Sequence, residues 1–284
     1  VKVALDDQTT VERTVPNIEV RIGALLSLER IAQDSTRYDN GRDHVRVMEI
    51  LCAYMRGNAP ADEDRALGGL KGKTPGQDIP LCMNIIKRRS ALQRQIEANV
   101  RFRLDLRSVD FSGCDLSKGN FDGAELNKCI FENFVIAGAS FIGARFSESF
   151  FSMSAFSDCE LDGANFDLCI CTSNNLLPRM SARGISICGA KLPQTYIPDS
   201  KMGNVLGSRD TELIEADLKF FARINDRIFL NMEIPEFDRL NPMFSRAPAF
   251  KHWCPYSAKD GMLSHFHHSF IRAHNLTGWP FDDT

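Results

Sequence analysis

The segment FDGAELNKCIFENFVIAGASF, residues 121–141, places a large apolar residue at every fifth position. The spacing continues in both directions and gives thirteen successive positions with Leu, Ile or Phe: Leu106, Phe111, Leu116, Phe121, Leu126, Phe131, Ile136, Phe141, Phe146, Phe151, Phe156, Leu161 and Phe166. A period of five residues matches neither an α-helix nor an alternating strand, so the chain has to turn a corner in each repeat.

A second position, two residues before each large one, is mostly small, as at Ala124, Cys129, Ala144 and Ser149. Phe134 departs from this pattern and predicts a local bulge or an outward displacement. Most of the nine cysteines fall on positions that this pattern places indoors, and none forms a CxxC pair. We interpret them as packing residues in a reducing environment.

These repeats resemble the pentapeptide-repeat family, whose consensus is Ala-(Asp/Asn)-Leu-x-x; Ala124-Glu125-Leu126 and Ala164-Asn165-Phe166 carry the resemblance most closely. The resemblance implies a right-handed quadrilateral β-helix in which four pentapeptides form one coil and the large and small residues face inward. We therefore expect a mainly β fold with about five coils over residues 104–203 and the large residues as its core. The register breaks after Leu176, and Ile187 resumes the period.

The flanking sequence predicts a helical hairpin in residues 1–57, a linker over 58–77 and a helix leading into the solenoid over 78–103. For residues 204–284 we expect a helix, with Asp210 and Thr211 as candidate caps, and then an irregular capping arm.

The N-terminal helical sequence also resembles the domain that precedes the repeats in one bacterial branch of the family. The segments that carry this resemblance are Val20-Arg21-Ile22-Gly23-Ala24-Leu25, Val47-Met48-Glu49-Ile50-Leu51 and Asp78-Ile79. Many members of that branch carry membrane-spanning helices upstream. The resemblance implies a cytoplasmic protein, or one held at the cytoplasmic face of the inner membrane through a segment missing from this chain.

Charge is unevenly distributed around a net value of −3. Residues 81–103 carry six basic residues against Glu97, whereas residues 104–177 carry eleven acidic residues against four basic ones. One basic helix lacks the broad footprint of a nucleic-acid-binding protein, so we do not expect a nucleic-acid partner. No apolar run is long enough to span a bilayer.

One outward column is apolar when residues twenty apart are stacked. Ile130, Phe150 and Ile170 should line up, with Met153 and Val135 along the adjacent edge. Because such a stripe is uncommon on the surface of a monomer, it is either covered by the C-terminal arm or the N-terminal helices, or it binds a partner or a second copy. We take these five residues as the candidate interaction face.

These features favour a non-enzymatic interaction or scaffold protein with a protein partner or self-association, with no catalytic residues and no cofactor. One alternative, implied by the resemblance, is DNA mimicry directed at gyrase, although Glu125 and Arg145 alternate in charge within one outer column. A weaker alternative is a metal-dependent enzyme that uses His265, His267 and His268. Their spacing matches no standard zinc site, so we predict no metal.

Overall fold

A computed structural model describes residues 2–6, 9–12, 17–62, 76–172, 175–176, 181–192, 195–196, 201–208, 210–213, 253–254, 267–268, 270–272 and 275–282. Its helices are α1 (Ile18–Tyr38), α2 (His44–Asn58), α3 (Asp78–Lys87) and α4 (Ala91–Asn99). Its strands are β1 (Lys2–Asp6), β2 (Thr9–Glu12), β3 (Ile130–Glu132), β4 (Val135–Ala137), β5 (Phe150–Ser152), β6 (Ala155–Ser157), β7 (Ile170–Cys171), β8 (Asn175–Leu176), β9 (Ser181–Ser186), β10 (Lys191–Leu192), β11 (Thr195–Tyr196), β12 (Lys201–Ser208), β13 (Glu212–Leu213) and β14 (Trp253–Cys254).

The predicted N-terminal helices are present, with two differences from the expectation. β1 and β2 form an antiparallel hairpin within the segment predicted to be helical, in keeping with the β-branched residues Val3, Thr9, Thr10 and Val11. The helix expected over 78–103 is split into α3 and α4. It breaks because Ser90 begins a new helix, where its side chain accepts from the N–H of Gln93 in a capping box.

The repeats form ladders of parallel pairs with partners twenty residues apart, which confirms a β-helix. The first side of the coil pairs Glu125 with Arg145 and Arg145 with Asn165; the second pairs Ile130 with Phe150 and Phe150 with Ile170. The third side pairs Val135 with Ala155, and the fourth pairs Asn120 with Ser140 and Ser140 with Glu160. We call these the first to fourth sides.

The interior is a stack of large apolar side chains. Those from Leu106 to Leu161 in the five-residue series are at most 3% exposed, and Phe166 is half-buried. Rings one coil apart stack face to face, with centroids 4.9 Å apart for Phe131 and Phe151. Phe134 is also buried and meets Phe131 edge-on, so the predicted outward displacement is wrong; an edge-on ring fits beside the stacked one.

Small inner residues also donate hydrogen bonds to main-chain oxygens 23 residues earlier. Ser149 Oγ donates to Leu126 O at 2.7 Å, Cys129 Sγ lies 3.1 Å from Leu106 O, and Cys169 Sγ lies 2.9 Å from Phe146 O. Burial raises the pKa of Cys129 to about 12, so this thiol stays protonated and can donate. The inner column of Cys129, Ser149 and Cys169 therefore holds small residues that can donate, whereas the column of Ala124, Ala144 and Ala164 holds small residues that cannot.

Replacing Ser149 should test this role. Ser149→Ala removes the donor to Leu126 O and the acceptor for the N–H of Cys129, and should cost about 1–3 kcal/mol of unfolding free energy in urea titrations. Ser149→Cys should cost less, because the same column holds cysteine one coil away on each side. Equal losses in the two variants would contradict a donor role.

Each corner of the coil places a residue with positive φ two positions after the large apolar residue, as at Ser108, Gly113, Lys118 and Gly123. Glycine adopts this conformation without strain, whereas Met153 (φ 49°) and Leu168 (φ 58°) do so at a steric cost. The corner geometry is thus set by the repeat even where the residue does not favour it.

Met153→Gly should raise the unfolding free energy by about 1 kcal/mol, because it relieves that cost. Gly138 occupies the next corner of the preceding coil with φ 64° and open space around an added Cβ. Gly138→Ala should therefore change stability by a similar amount in the opposite direction. Shifts of the same sign in urea denaturation would show that backbone strain is not the cause.

The register differs from the expectation at the C-terminal coils. Phe151 pairs with Cys171 at an offset of 20 (171 − 151), but Ala155 pairs with Leu176 at an offset of 21 (176 − 155). The extra residue therefore enters before Leu176, and the prediction of a break after it is wrong. Asn165 also pairs with Ser186 at an offset of 21, so the shift in register persists after the inserted residue.

Parallel pairing continues beyond the predicted end of the solenoid at residue 203. Lys191 pairs with Glu212, and Leu192 pairs with Leu213. Asp210 and Thr211 lie in the turn before β13, where Thr211 Oγ1 donates to Ile187 O at 3.0 Å and accepts from the N–H of Gly189. They do not cap a helix here, because the hydroxyl binds the neighbouring coil; residues 214–224 of the predicted helix lie outside the described residues.

The helical unit closes the open edge of the first coil. Pairing toward the second coil uses the N–H of Leu106 and the carbonyl of Leu104, so the carbonyl of Asp105 points the other way. On the first side, Arg56 donates to that carbonyl and pairs with the Asp105 carboxylate at 3.1 Å. On the second side, Ala59 O accepts from the N–H of Asp110 at 2.8 Å.

The other two sides are closed by cations of α3 and the residues after it. Lys87 Nζ donates to Asp115 O at 3.0 Å on the third side, and Arg89 donates to Asn120 O on the fourth. Arg89 also pairs with the buried Glu97 carboxylate, which lies 2.7 Å from His44 Nε2. Lys87 and Arg89, two of the six basic residues of segment 81–103, therefore close the solenoid edge.

Arg89→Gln should lower the unfolding free energy by about 3–5 kcal/mol, because it leaves Glu97 buried without its guanidinium partner. The neighbouring Arg88 provides a matched control, since its side chain is 51% exposed and pairs with Glu29 on α1. Arg88→Gln should cost less than about 1 kcal/mol. Comparable losses of the two variants in chemical denaturation would mean that the buried Arg89–Glu97 pair does not stabilise the closure of the first coil.

Candidate functional site

The structure stacks the predicted interaction face in register but does not expose all of it. Ile130 is only 2% exposed, and Phe150 and Ile170 are half-buried. Ile130 is therefore not an exposed contact residue, contrary to the expectation. It pairs with Asp110 of the first coil, whose N–H donates to Ala59 O in the segment after α2.

Among the described residues of the solenoid, the exposed large apolar side chains lie at the corner between the second and third sides. Val135 is 66% exposed and Met153 is 49% exposed. Val135 pairs with Ala155, which follows Met153 by two residues, so the two exposed side chains are neighbours across adjacent coils. We call Val135, Phe150, Met153, Ala155 and Ile170 the apolar edge.

The first side is polar and of mixed sign. Arg145 Nη1 donates to Glu125 Oε1 at 2.9 Å, and Ser147 Oγ donates to Asn165 Oδ1 at the same distance. Residues one coil apart therefore compensate each other, and the described column from Asp105 to Asn165 does not form a continuous acidic stripe.

The C-terminal segment 275–282 packs along the corner between the fourth and first sides. Arg103 fixes it there, because its guanidinium donates to Gly123 O at 2.8 Å and to Pro280 O at 2.6 Å. The same guanidinium lies 4.9 Å from the centroid of the Trp279 ring. Part of the C-terminal arm expected from the sequence, residues 275–282, therefore packs on the solenoid. It lies at the corner opposite the apolar edge.

Glycine at this corner permits the close approach. A Cβ at Gly143 would lie 2.8 Å from Pro280 Cγ, and one at Gly163 would clash with Phe281. The twenty-residue spacing of Gly123, Gly143 and Gly163 is visible in the sequence, and it was the available signal for this contact. Sequence reasoning missed it because glycine is also a common corner residue.

A cavity of about 300 Å³ lies between the first side and the C-terminal residues. His267 and His268 line it, and His267 Nδ1 lies 3.4 Å from Asn165 Nδ2. His265, the third candidate metal ligand, lies outside the described residues. Within the described ranges, no three His, Cys, Asp or Glu side chains are grouped in a way that could hold a metal ion.

The β-helical geometry agrees with the comparison against protein families. The pentapeptide-repeat family model, described as Pentapeptide repeats, matches eight copies over residues 104–133 and 137–170. Residues 104–133 and 137–170 are therefore pentapeptide repeats, and helices precede them in the chain. Among the helices that the structure describes, none is long and apolar enough to cross a membrane.

Similar solved structures include other pentapeptide-repeat proteins. Rfr23 from the cyanobacterium Cyanothece 51142 is 17% identical, with coverage of 38% of this chain and 66% of that one and a TM-score of 0.22. A thylakoid-lumen protein of Arabidopsis thaliana is 24% identical, with coverage of 43% and 77% and a TM-score of 0.18.

QnrB1, a plasmid-mediated fluoroquinolone resistance protein, is 16% identical, with coverage of 36% of this chain and 58% of that one and a TM-score of 0.17. At these identities and TM-scores the structural matches carry no argument about function. A search of curated proteins gives no match.

Proposed function

We propose that this protein is a non-enzymatic interaction or scaffold protein whose solenoid, a right-handed rod of about five coils, docks a protein partner through the apolar edge. The observation that carries the proposal is the exposure of Val135 and Met153 beside the half-buried Phe150 and Ile170. Apolar side chains grouped on a surface favour association, because docking removes them from water.

The scaffold supports this role because it fixes the contact residues in advance. β3 pairs with β5 and β4 pairs with β6, so the apolar edge stands on two hydrogen-bonded ladders. Binding of a partner then costs less free energy, because this chain has no flexible contact loop to order at the apolar edge. Flat ladders of this kind suit a partner that presents a helix or a strand along the rod.

The occupant is a different protein or a second copy of this chain. We place the protein in the cytoplasm, or at the cytoplasmic face of the inner membrane if a segment upstream of Val1 provides an anchor. DNA mimicry is less well supported, since Arg145 stands between Glu125 and Asn165 on the first side. A metal-dependent enzyme is also less well supported, because the described residues include no cluster of possible metal ligands.

The double substitution Val135→Asp with Met153→Asp should remove partner binding while the fold is kept, because both side chains are exposed. Charge in the centre of an apolar contact should weaken affinity by about tenfold or more. The measurement is copurification of tagged full-length chain from its native cells, with thermal unfolding as the check on folding. Leu92→Asp is the matched control, since Leu92 is an exposed apolar residue on α4.

A stoichiometric partner retained by the wild type and by Leu92→Asp, and lost from the double variant, would support the proposal. Analytical ultracentrifugation on the same samples separates self-association from a different partner. A partner retained equally by all three proteins would rule out the apolar edge as the docking surface.

A further inference from the structure

The cavity beside the C-terminal segment has a lining that separates into a polar wall and an apolar wall. The polar wall is contributed mostly by the first side of the solenoid and the apolar wall by the C-terminal residues. Its lining residues are Arg103, Gly143, Arg145, Ser147, Gly163, Asn165, His267, His268, Ile271, Pro280 and Phe281.

Two guanidinium groups line this cavity. Among its described lining residues are Arg103 and Arg145, and none of them is Asp or Glu. A guanidinium presents planar N–H donors that match a carboxylate or phosphate. Ser147, Asn165 and the two histidines add groups that can donate to the same kind of ligand.

Both arginines are held in place by the solenoid. Glu125 Oε1 accepts from Arg145 Nη1 at 2.9 Å, and Gly123 O accepts from Arg103 Nη1 at 2.8 Å. Such contacts fix the direction of a long side chain before a ligand arrives, which lowers the entropy lost on binding. The ring of Trp279 against Arg103 provides a further restraint.

The opposite wall is apolar. Ile271 and Pro280 are buried and Phe281 is half-buried, and all three line the cavity. A volume of about 300 Å³ lies at the lower end of the range for small-molecule sites, which combine apolar walls with a few placed polar groups.

We propose that this cavity binds a small organic oxyanion, with its carboxylate or phosphate toward Arg103 and Arg145 and its apolar group toward Ile271 and Phe281. A bound ligand contacts both the solenoid and the C-terminal residues, so it also stabilises the docked position of that segment. The site is independent of the apolar edge, which lies on the opposite corner of the coil.

The oxyanion has two sources. One is a free small molecule; the other is a carboxylate of this chain, because Asp282 and Asp283 directly follow Phe281 in the sequence. Calorimetric titration of the full chain with benzoate and with inorganic phosphate, up to about 10 mM, detects binding with millimolar dissociation constants. A second titration uses the double variant Asp282→Asn with Asp283→Asn.

Arg145→Gln should weaken binding of the probe by about tenfold or more, because it removes a charged hydrogen-bond donor. Arg145→Lys retains a cation near Glu125 but lacks the planar donors, so it should also weaken binding. It takes the place of Arg145→Gln in the test if the glutamine variant does not fold. Arg107→Gln is the control: Arg107 pairs with Asp105 on the same solenoid side and does not line the cavity. The affinity of that variant should match the wild type.

Binding by the wild type that depends on Arg145 supports a free oxyanion as the ligand. Binding that appears only in the double asparagine variant supports the same site, filled by the chain's own carboxylate. The proposal is overturned if neither protein binds either probe, or if folded Arg145→Gln and Arg145→Lys proteins bind as tightly as the wild type.

Discussion

Main-chain hydrogen bonds between successive coils are the constraint on which the rest of the structure depends. The main-chain N–H and C=O groups of a coil bond to the coils on both sides: Glu125 bonds to Leu104 and Leu106 of the preceding coil, and Leu126 donates to Arg145 O of the next. The first coil has no earlier coil, so its edge has to be closed by other groups. Arg56, Lys87 and Arg89 close the first, third and fourth sides, and the main chain of Ala59 closes part of the second.

The same constraint explains the chemistry of the interior. Stacking brings identical positions together every twenty residues, so the inner column of Cys129, Ser149 and Cys169 needs side chains that fill one space and satisfy one carbonyl. Ser149 and Cys129 meet this need in the same way, despite their different polarity. Acidic side chains of the outer surface also link neighbouring coils, as Glu125 does with Arg145 and as Asp122 does by accepting from the N–H of Ile142.

The solenoid could be predicted from the sequence because a five-residue period shows directly which side chains face inward. The register of Ile130, Phe150 and Ile170 could be predicted in the same way. The sequence did not show the burial of Ile130, because the period places that side chain on the outer surface. The position of the extra residue before Leu176 was hidden because a shifted apolar series looks the same wherever the insertion falls. The cavity was missed because Arg103 and Phe281 are 178 residues apart (281 − 103) and no local pattern joins them.

The contact between Arg103 and Pro280 spans 177 residues and joins the start of the solenoid to a distant part of the chain. Repeat proteins commonly gain and lose whole repeats during evolution, because each repeat contacts only its neighbours. Here the side chains from Leu276 to Phe281 meet glycines of successive coils from Gly123 to Gly184. Duplication or deletion of a coil between Gly123 and Gly184 would move these glycines relative to Arg103, so the docked segment restricts changes in the number of coils within that range.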